Sequence, residues 1–303
     1  MDSTERTMKI LFAADLHGHL ARFEKVWEAA TRHQVQAVVF GGDNFLDLHE
    51  VPLEEAVEAQ QKLFDDYLPG YFQRFDAAKI HWLGILSGHD LEPFDKPLEA
   101  LCARHTHIHL LEGKKIVLNG FEFIGTGLIV DTPFPPKIRC RRDTADWKVE
   151  FQFGPPHRLV EQTWHPENDW ASTLANLPTL EDELASLPRP IDPQKAIYVL
   201  HHPPLGIGLD VVILDANKTP LTGDMSKRPR KEIGSMAVRH FLETQQPLLA
   251  LHGHVHESPI ATGIWRTNLG NTICIQPGQH TGLDQLHMVI IELPSMESQL
   301  LKE

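Results

Sequence analysis

Cysteine is scarce in this chain. Cys102, Cys140 and Cys274 are the only three, in unrelated contexts and without a Cys-x-x-Cys pair. That argues against a disulfide framework or a thiolate zinc site and fits a reducing compartment. Basic residues are also in deficit: 28 Lys and Arg face 41 Asp and Glu, for a net charge of −13 with histidines neutral. General nucleic-acid binding needs a broad basic face, which this balance does not supply. A small phosphorylated substrate is not excluded, because bound cations reverse the local sign. No uninterrupted apolar run is long enough to cross a bilayer. Met1–Thr7 is short and polar, with no apolar signal core ahead of the first strand. A cytoplasmic protein with no membrane partner is the expectation. There is no internal repeat and no low-complexity tract. Gly206-Ile207-Gly208 lacks the strand, turn and helix of a dinucleotide fingerprint.

What is present is an ordinary globular composition, 42% hydrophobic and 23% charged over 303 residues, enough to bury a large core. Apolar runs of strand length alternate with helical periods: strands over 8–14, 35–40 and 80–86, helices over 20–33 and 54–75, the second interrupted near Pro69-Gly70. Strand, helix, strand in this order is a parallel-sheet pattern. Further strands are predicted over 107–111, 115–118, 121–128, 196–200, 248–251, 273–276 and 288–293, and helices over 180–187 and 234–244. Residues 132–176 show no sustained period and read as an irregular insertion over the core, a lid or cap in form. Ser295–Glu303 reads as a loose polar tail.

Six short motifs stand at or near the ends of these runs: Asp15-Leu16-His17-Gly18, Gly41-Gly42-Asp43-Asn44, Ser87-Gly88-His89-Asp90, His201-His202-Pro203-Pro204, Gly253-His254-Val255-His256 and Gln276-Pro277-Gly278. Five carry carboxylates and imidazoles, the donors that divalent first-row metals prefer. Taken singly, an Asp-x-His is a cap and a satisfied imidazole, a Gly-Gly-Asp is a turn, and a His-His-Pro-Pro is a loop. Their common order across the chain is what points to a dinuclear site.

The ordered set resembles the calcineurin-like metallophosphoesterase superfamily. The resemblance implies an α/β fold, a four-layer α/β/β/α sandwich of two mixed sheets with the metals at the strand ends, as one domain over 1–303. It implies two divalent ions, with Mn, Fe or Zn expected. One is held by Asp15, His17, Asp43 and His256, the other by Asp43, His201 and His254. Asp43 bridges, because a carboxylate reaches two ions where an imidazole does not; of His201 and His202, the first matches the family ligand. His89 is expected to protonate the leaving oxygen or to stabilise the phosphate charge, since an imidazole titrates near neutrality. Asp90 is expected to orient that ring or, equally, to serve as a helix cap.

One departure matters. The family usually reads Gly-Asn-His-Asp or Gly-Asn-His-Glu where this chain has Ser87-Gly88-His89-Asp90, so Gly88 replaces an amide ligand of the second metal. Water, a backbone carbonyl or Asn44 would have to fill the gap, and the second site is expected to be the weaker. Residues 234–258 resemble a subgroup of small cytosolic prokaryotic members. Asn44-Phe45-Leu46 after Asp43 carries neither the tyrosine of purple acid phosphatases nor the Asp-Arg-Gly of protein serine/threonine phosphatases. The expected function is hydrolysis of phosphodiesters or nucleotide-like small substrates by a metal-bridging hydroxide. A phosphomonoesterase is the nearest rival, and the rival of another class is a non-catalytic regulatory protein that binds metal or a phosphorylated ligand. Either of the basic groups Lys137, Arg139, Arg141, Arg142 and Lys227, Arg228, Arg230, Lys231 could bind a substrate phosphate, but each reads first as a solvated loop. The alternating His105, His107 and His109 read as one face of a half-exposed strand.

Overall fold

The computed structural model of the chain describes residues 7–149, 151–214, 228–279 and 285–303. Two six-stranded sheets form its centre. The first runs Glu297–Lys302, His287–Leu293, Met8–Ala13, Ala37–Phe40, His81–Gly84, Ile108–Leu110 in spatial order; the second runs Arg266–Leu269, Thr272–Ile275, Leu249–Leu251, Ala196–Leu200, Phe121–Thr126, Lys115–Leu118. In the first sheet the strands from Met8–Ala13 to Ile108–Leu110 run parallel, and in the second those from Thr272–Ile275 to Phe121–Thr126 do; the remaining pairs are antiparallel.

Side-chain alternation explains the layering. Along Met8–Ala13, Ile10 and Phe12 face the second sheet and meet Phe123, Ile197, Val199 and Leu251 in a dry inter-sheet core. Leu11 turns the other way, with Val38, Phe40 and Trp82, onto the helices Leu20–Arg32, Leu53–Asp66, Leu68–Ala78 and Asp95–Cys102. Tyr198, Ala250 and Cys274 leave the second sheet's outer face to pack on the helices Leu180–Ser186 and Met236–Gln245. Helices, sheet, sheet and helices are four layers, as the resemblance implied.

Register aligns the functional loops. Ala13, Phe40 and Gly84 lie level across three parallel strands, so the loops carrying Asp15, Asp43 and His89 leave the first sheet side by side. Val199, Leu251 and Ile275 do the same in the second sheet, which brings the loops of His201, His254 and Gln276 together. Chemistry at the carboxyl ends of parallel strands is the general habit of α/β folds.

The structure corrects several sequence expectations. Residues Glu297–Lys302 form an antiparallel edge strand on His287–Leu293 rather than a tail, with Leu301 buried against the helices. Its Glu, Ser and Gln residues masked the pattern. The long helix breaks at Tyr67, ahead of Pro69, into Leu53–Asp66 and Leu68–Ala78. The region 132–176 is not featureless. Cys140–Arg141 pairs with Ile129–Val130, His157–Val160 forms a hairpin with Thr163–Pro166, and Trp170–Ala175 is helical. Strands of two to four residues are too short to show a period. The basic residues there are not a solvated loop: Lys137 is buried with Asp131, Arg139 pairs with Asp95, and Arg141 with Glu183. Lys227 lies outside the described residues. Of the three alternating histidines, only His109 lies in the strand Ile108–Leu110, while His105 and His107 turn to Asp76. No helix among the described residues is long and apolar enough to cross a membrane.

Candidate metal centre

The loops after Met8–Ala13 and Ala37–Phe40 stay zipped beyond the sheet. Asp15 N–H donates to Gly42 O, His17 N–H to Asp43 O and Gly18 N–H to Asn44 O, at 3.0, 2.9 and 2.8 Å. To hold this pairing, Asp15, His17 and Asp43 adopt left-handed backbone with φ of 59°, 53° and 51°, and in the facing loop His254 has φ of 73°. Such conformations are costly for residues with a Cβ and cluster where function over-determines them. Gly42 has φ of 98°, and a Cβ there would meet His201 Nδ1 at 2.7 Å. The sequence marks the turn with the one residue that fits.

The side chains converge in two triads. The donor atoms of Asp15, His17 and His256 lie within 4.8 Å of one another, as do those of Asp43, His201 and His254. Asp15 Oδ1 stands 3.5 Å from His256 Nε2 and 3.8 Å from His201 Nε2, so the triads are neighbours. The far ring nitrogens fix the tautomers. His17 Nδ1–H reaches Leu46 O at 3.3 Å and His201 Nδ1–H reaches Gly41 O at 2.6 Å, so each Nε2 is the atom aimed inward, and that of His201 stands 3.1 Å from Asp43 Oδ2. His202 is otherwise engaged: its Nδ1 accepts from Val130 N–H and its Nε2–H donates to Ile233 O.

The donor set fits cations. Asp15 Oδ2 is buried without a hydrogen-bond partner, and the Nε2 atoms of His17 and His256 approach to 3.1 Å. A shared proton or a shared cation relieves both. Burial, then the neighbouring His89 and His256, hold the His17 imidazole well below its usual range; burial, then His202, do so for His254. Both are neutral, as ligands must be. Against burial, the Asp43 carboxylate and its hydrogen bond lift His201 to about 9, so a cation there replaces a proton.

His89 sits beside the first triad, its ring 4.6 Å from that of His17 and nearly perpendicular to it. Leu48 N–H donates to His89 Nδ1 at 3.0 Å, and His89 N–H donates to Asp43 Oδ1 at 2.8 Å. With Nδ1 an acceptor, the Nε2 carries the proton. Asp90 does not orient this ring and caps no helix. Its Oδ1 accepts from Asn44 N–H and Phe45 N–H, its Oδ2 from Ser87 N–H, at 2.9, 2.8 and 2.9 Å. It ties the second loop to the third. Burial and the Asp43 charge push it up to about 7 against those donors.

Gly88 has ordinary backbone. A Cβ built there meets Ile129 Cδ1 at 2.9 Å and Asp43 Oδ1 at 3.9 Å. A side chain at this position would have to move the terminal methyl of Ile129. Asn44, the neighbour considered as a substitute, donates Nδ2–H to Ile85 O, and its Oδ1 is buried without a partner.

Sequence reasoning missed the supports. Arg22, buried on the inner face of Leu20–Arg32, donates from Nη1 to Asp15 O at 3.0 Å. An arginine four residues before Val26 on an otherwise apolar stripe was the available signal. Gln276 donates from Nε2 to Gly253 O and Val255 O at 2.9 and 2.6 Å, holding the loop of His254 and His256. Its motif was visible, its task was not.

The calcineurin-like phosphoesterase family model matches residues 8–258. The chain belongs to the calcineurin-like phosphoesterase family. The family is metal-dependent and hydrolyses phosphate esters, and the two triads are among the four groups of the described residues whose donor atoms lie close enough to hold a metal, the others being His17, Asp47 and His89 and His19, Asp47 and Glu50. A crystal structure similar over 98% of this chain and 99% of its own has 16% identity and a TM-score of 0.59. TT1561 of Thermus thermophilus is similar at 15% identity, 97% and 98% coverage and a TM-score of 0.52. The calcineurin-like phosphoesterase YfkN from Bacillus subtilis has 14% identity, 98% and 90% coverage and a TM-score of 0.45. At such identities the first two likenesses speak for the fold alone. No curated protein matches the sequence significantly.

Proposed function

We propose that this phosphoesterase acts on small phosphorylated substrates, phosphodiesters or nucleotide-like esters, with Asp15, His17, Asp43 and His256 around one divalent ion and Asp43, His201 and His254 around the other. The observation that supports the reading is the pair of adjacent triads, with the Nε2 atoms of His17 and His201 aimed inward and the Nε2–H of His89 alongside. When bound, two such ions supply Lewis acidity, lowering the pKa of water and neutralising phosphoryl oxygens. The protein's own part is positional. The left-handed loops and the Gly41 and Leu46 carbonyls fix ligand geometry before substrate arrives. Asp90 holds two of the loops together. His89, with Nδ1 capped by Leu48 N–H, presents Nε2–H as a hydrogen-bond donor to the departing oxygen and stabilises the charge that develops there.

The test is turnover of bis-(p-nitrophenyl) phosphate with added manganese, compared with p-nitrophenyl phosphate. Diester hydrolysis that exceeds monoester hydrolysis supports the reading, and the reverse order favours a phosphomonoesterase. Absence of turnover on both, with metal bound, would identify the non-catalytic alternative that Gly88 and Ile129 favour.

A further inference from the structure

A row of rings leads outward from His89. His49 lies 4.9 Å from His89, Phe134 lies 5.2 Å from His49, Phe153 lies 5.6 Å from Phe134, and Phe151 lies 5.6 Å from Phe153. These separations are those of interacting aromatic pairs. Yet Phe134, Phe151 and Phe153 are 38%, 75% and 67% exposed. Among the described residues, every large exposed hydrophobic that is aromatic belongs to this row. Single exposed apolar residues need no explanation, but a contiguous set touching a reaction centre does. The row is built rather than frayed: Phe153 N–H donates to Pro133 O at 2.8 Å, tying the two segments that carry the rings.

We propose that this row is a stacking platform for the base of a nucleoside leaving group; the proposal rests on the phosphoesterase reading above. The direction follows from His89. A group whose N–H hydrogen-bonds the departing oxygen stands on the leaving-group side of the phosphate, so the rings beyond it line the leaving group. Beside His89 stands Asp47, whose carboxylate lies within 4.8 Å of donor atoms of both His17 and His89. It offers a hydrogen-bond acceptor to a sugar hydroxyl. The order is then metal triads for phosphate, a carboxylate for the sugar, and aromatic faces for the base. The exposed Phe rings carry no charge of their own, and Asp47 disfavours a second anionic group beside them. A neutral planar base suits the row better than a second phosphate. Stacking on exposed rings also tolerates any base, because each has a π-face.

The experiment uses the whole chain loaded with manganese and measures binding calorimetrically for two probes, adenosine 5′-monophosphate and ribose 5-phosphate. They share phosphate and sugar and differ in the base. The wild type should bind the nucleotide about tenfold or more tightly. Phe134→Ala with Phe153→Ala should bring the ratio of the two affinities towards one, and Phe153→Trp should preserve it. Equal affinity of the wild type for the two probes would overturn the platform while leaving the phosphoesterase reading intact. So would an undiminished ratio in the double variant, including the case where that variant changes only the sedimentation of the protein, which would make the row a contact between copies. Binding of neither probe sinks both readings.

Discussion

The metal cradle and the aromatic rim are built by opposite rules. Asp15, Asp43 and His201 are buried and hang from the ends of central strands, and four of the six proposed ligands hold left-handed backbone. Their far atoms are pinned by carbonyls, amides and Arg22. Phe134, Phe151 and Phe153, by contrast, are exposed on the stretch that joins the second sheet's strands Phe121–Thr126 and Ala196–Leu200, among strands of two to four residues. The cradle has no freedom to vary without losing geometry. The rim can exchange a side chain and keep the fold. On the proposed reading, reaction type is fixed by the sheets and substrate choice by a loop-borne surface, the division expected when function is grafted on a common scaffold.

The sharpest way to test this division is to damage the cradle with minimal change in shape. Asp43→Asn keeps volume but removes the charge that faces His201 at 3.1 Å. Turnover should fall by about 10²–10³-fold or more, with metal content reduced at both triads by elemental analysis after gel filtration. Two ions retained with normal turnover would overturn the ligand assignment. His89→Ala should leave metal content unchanged and lower turnover by about 10²–10³-fold on alkyl esters, where charge on the departing oxygen is greatest. On p-nitrophenyl esters, whose leaving group carries its charge unaided, the loss should be smaller; an equal loss on both would remove the leaving-group role.

The cradle was largely legible and the rim was not, for a physical reason. Strands such as Met8–Ala13 are buried on both faces and read as apolar runs, and the chemistry at their ends must use Asp and His, so the motifs announce themselves. The left-handed φ of Asp15, His17, Asp43 and His254 had no signature beyond the glycines beside them. Arg22 and Gln276 act by hydrogen-bonding to distant backbone, which no local spacing encodes. The rim depends on Phe134 meeting Phe153 and His49 across loops, a tertiary fact. The edge strand Glu297–Lys302 was lost because its polar residues outweigh its leucines.

The second triad should also respond to pH. His201 is lifted to about 9 by Asp43, so in the metal-free protein it is protonated below that value. The proton's contribution to the folded, metal-free state is complete below the usual histidine range and is lost as pH rises through about 9. A cation entering the second triad must displace it. In a His17→Ala background, which disables the first triad, affinity for manganese should rise by about tenfold per pH unit from near 7 to near 9 and then level off. Calorimetry in buffers of different ionisation enthalpy should show about one proton released per ion at about pH 7.5. A flat affinity profile would contradict the His201–Asp43 pairing.

A milder effect is expected at Gly88. Because its backbone is ordinary, Gly88→Asn carries no left-handed penalty, but its Cβ meets the end of Ile129 at 2.9 Å. The single variant should change manganese affinity little. Combined with Ile129→Ala, which opens the space, the asparagine should strengthen the second site by several-fold, on the order of tenfold at most. If the single variant alone gains as much as the pair, Ile129 is not the obstacle.

The smallest effect lies where the rim's stretch is fastened to the second sheet's helices. Asp143 is buried and accepts from Ser235 Oγ, Met236 N–H and Ala237 N–H at 2.5, 2.8 and 3.2 Å. Those two amides open the helix Met236–Gln245, so the carboxylate caps a helix that it does not precede in sequence. Asp143→Ala leaves the amides unmet and should cost about 1–3 kcal/mol, a fall in melting temperature on the order of 5 °C. Residues 132–176 should then be cut faster by protease, while manganese affinity stays at the wild-type value. A loss of metal binding equal to that of Asp43→Asn would show that the stretch and the cradle are one cooperative unit, and the division between them would fail.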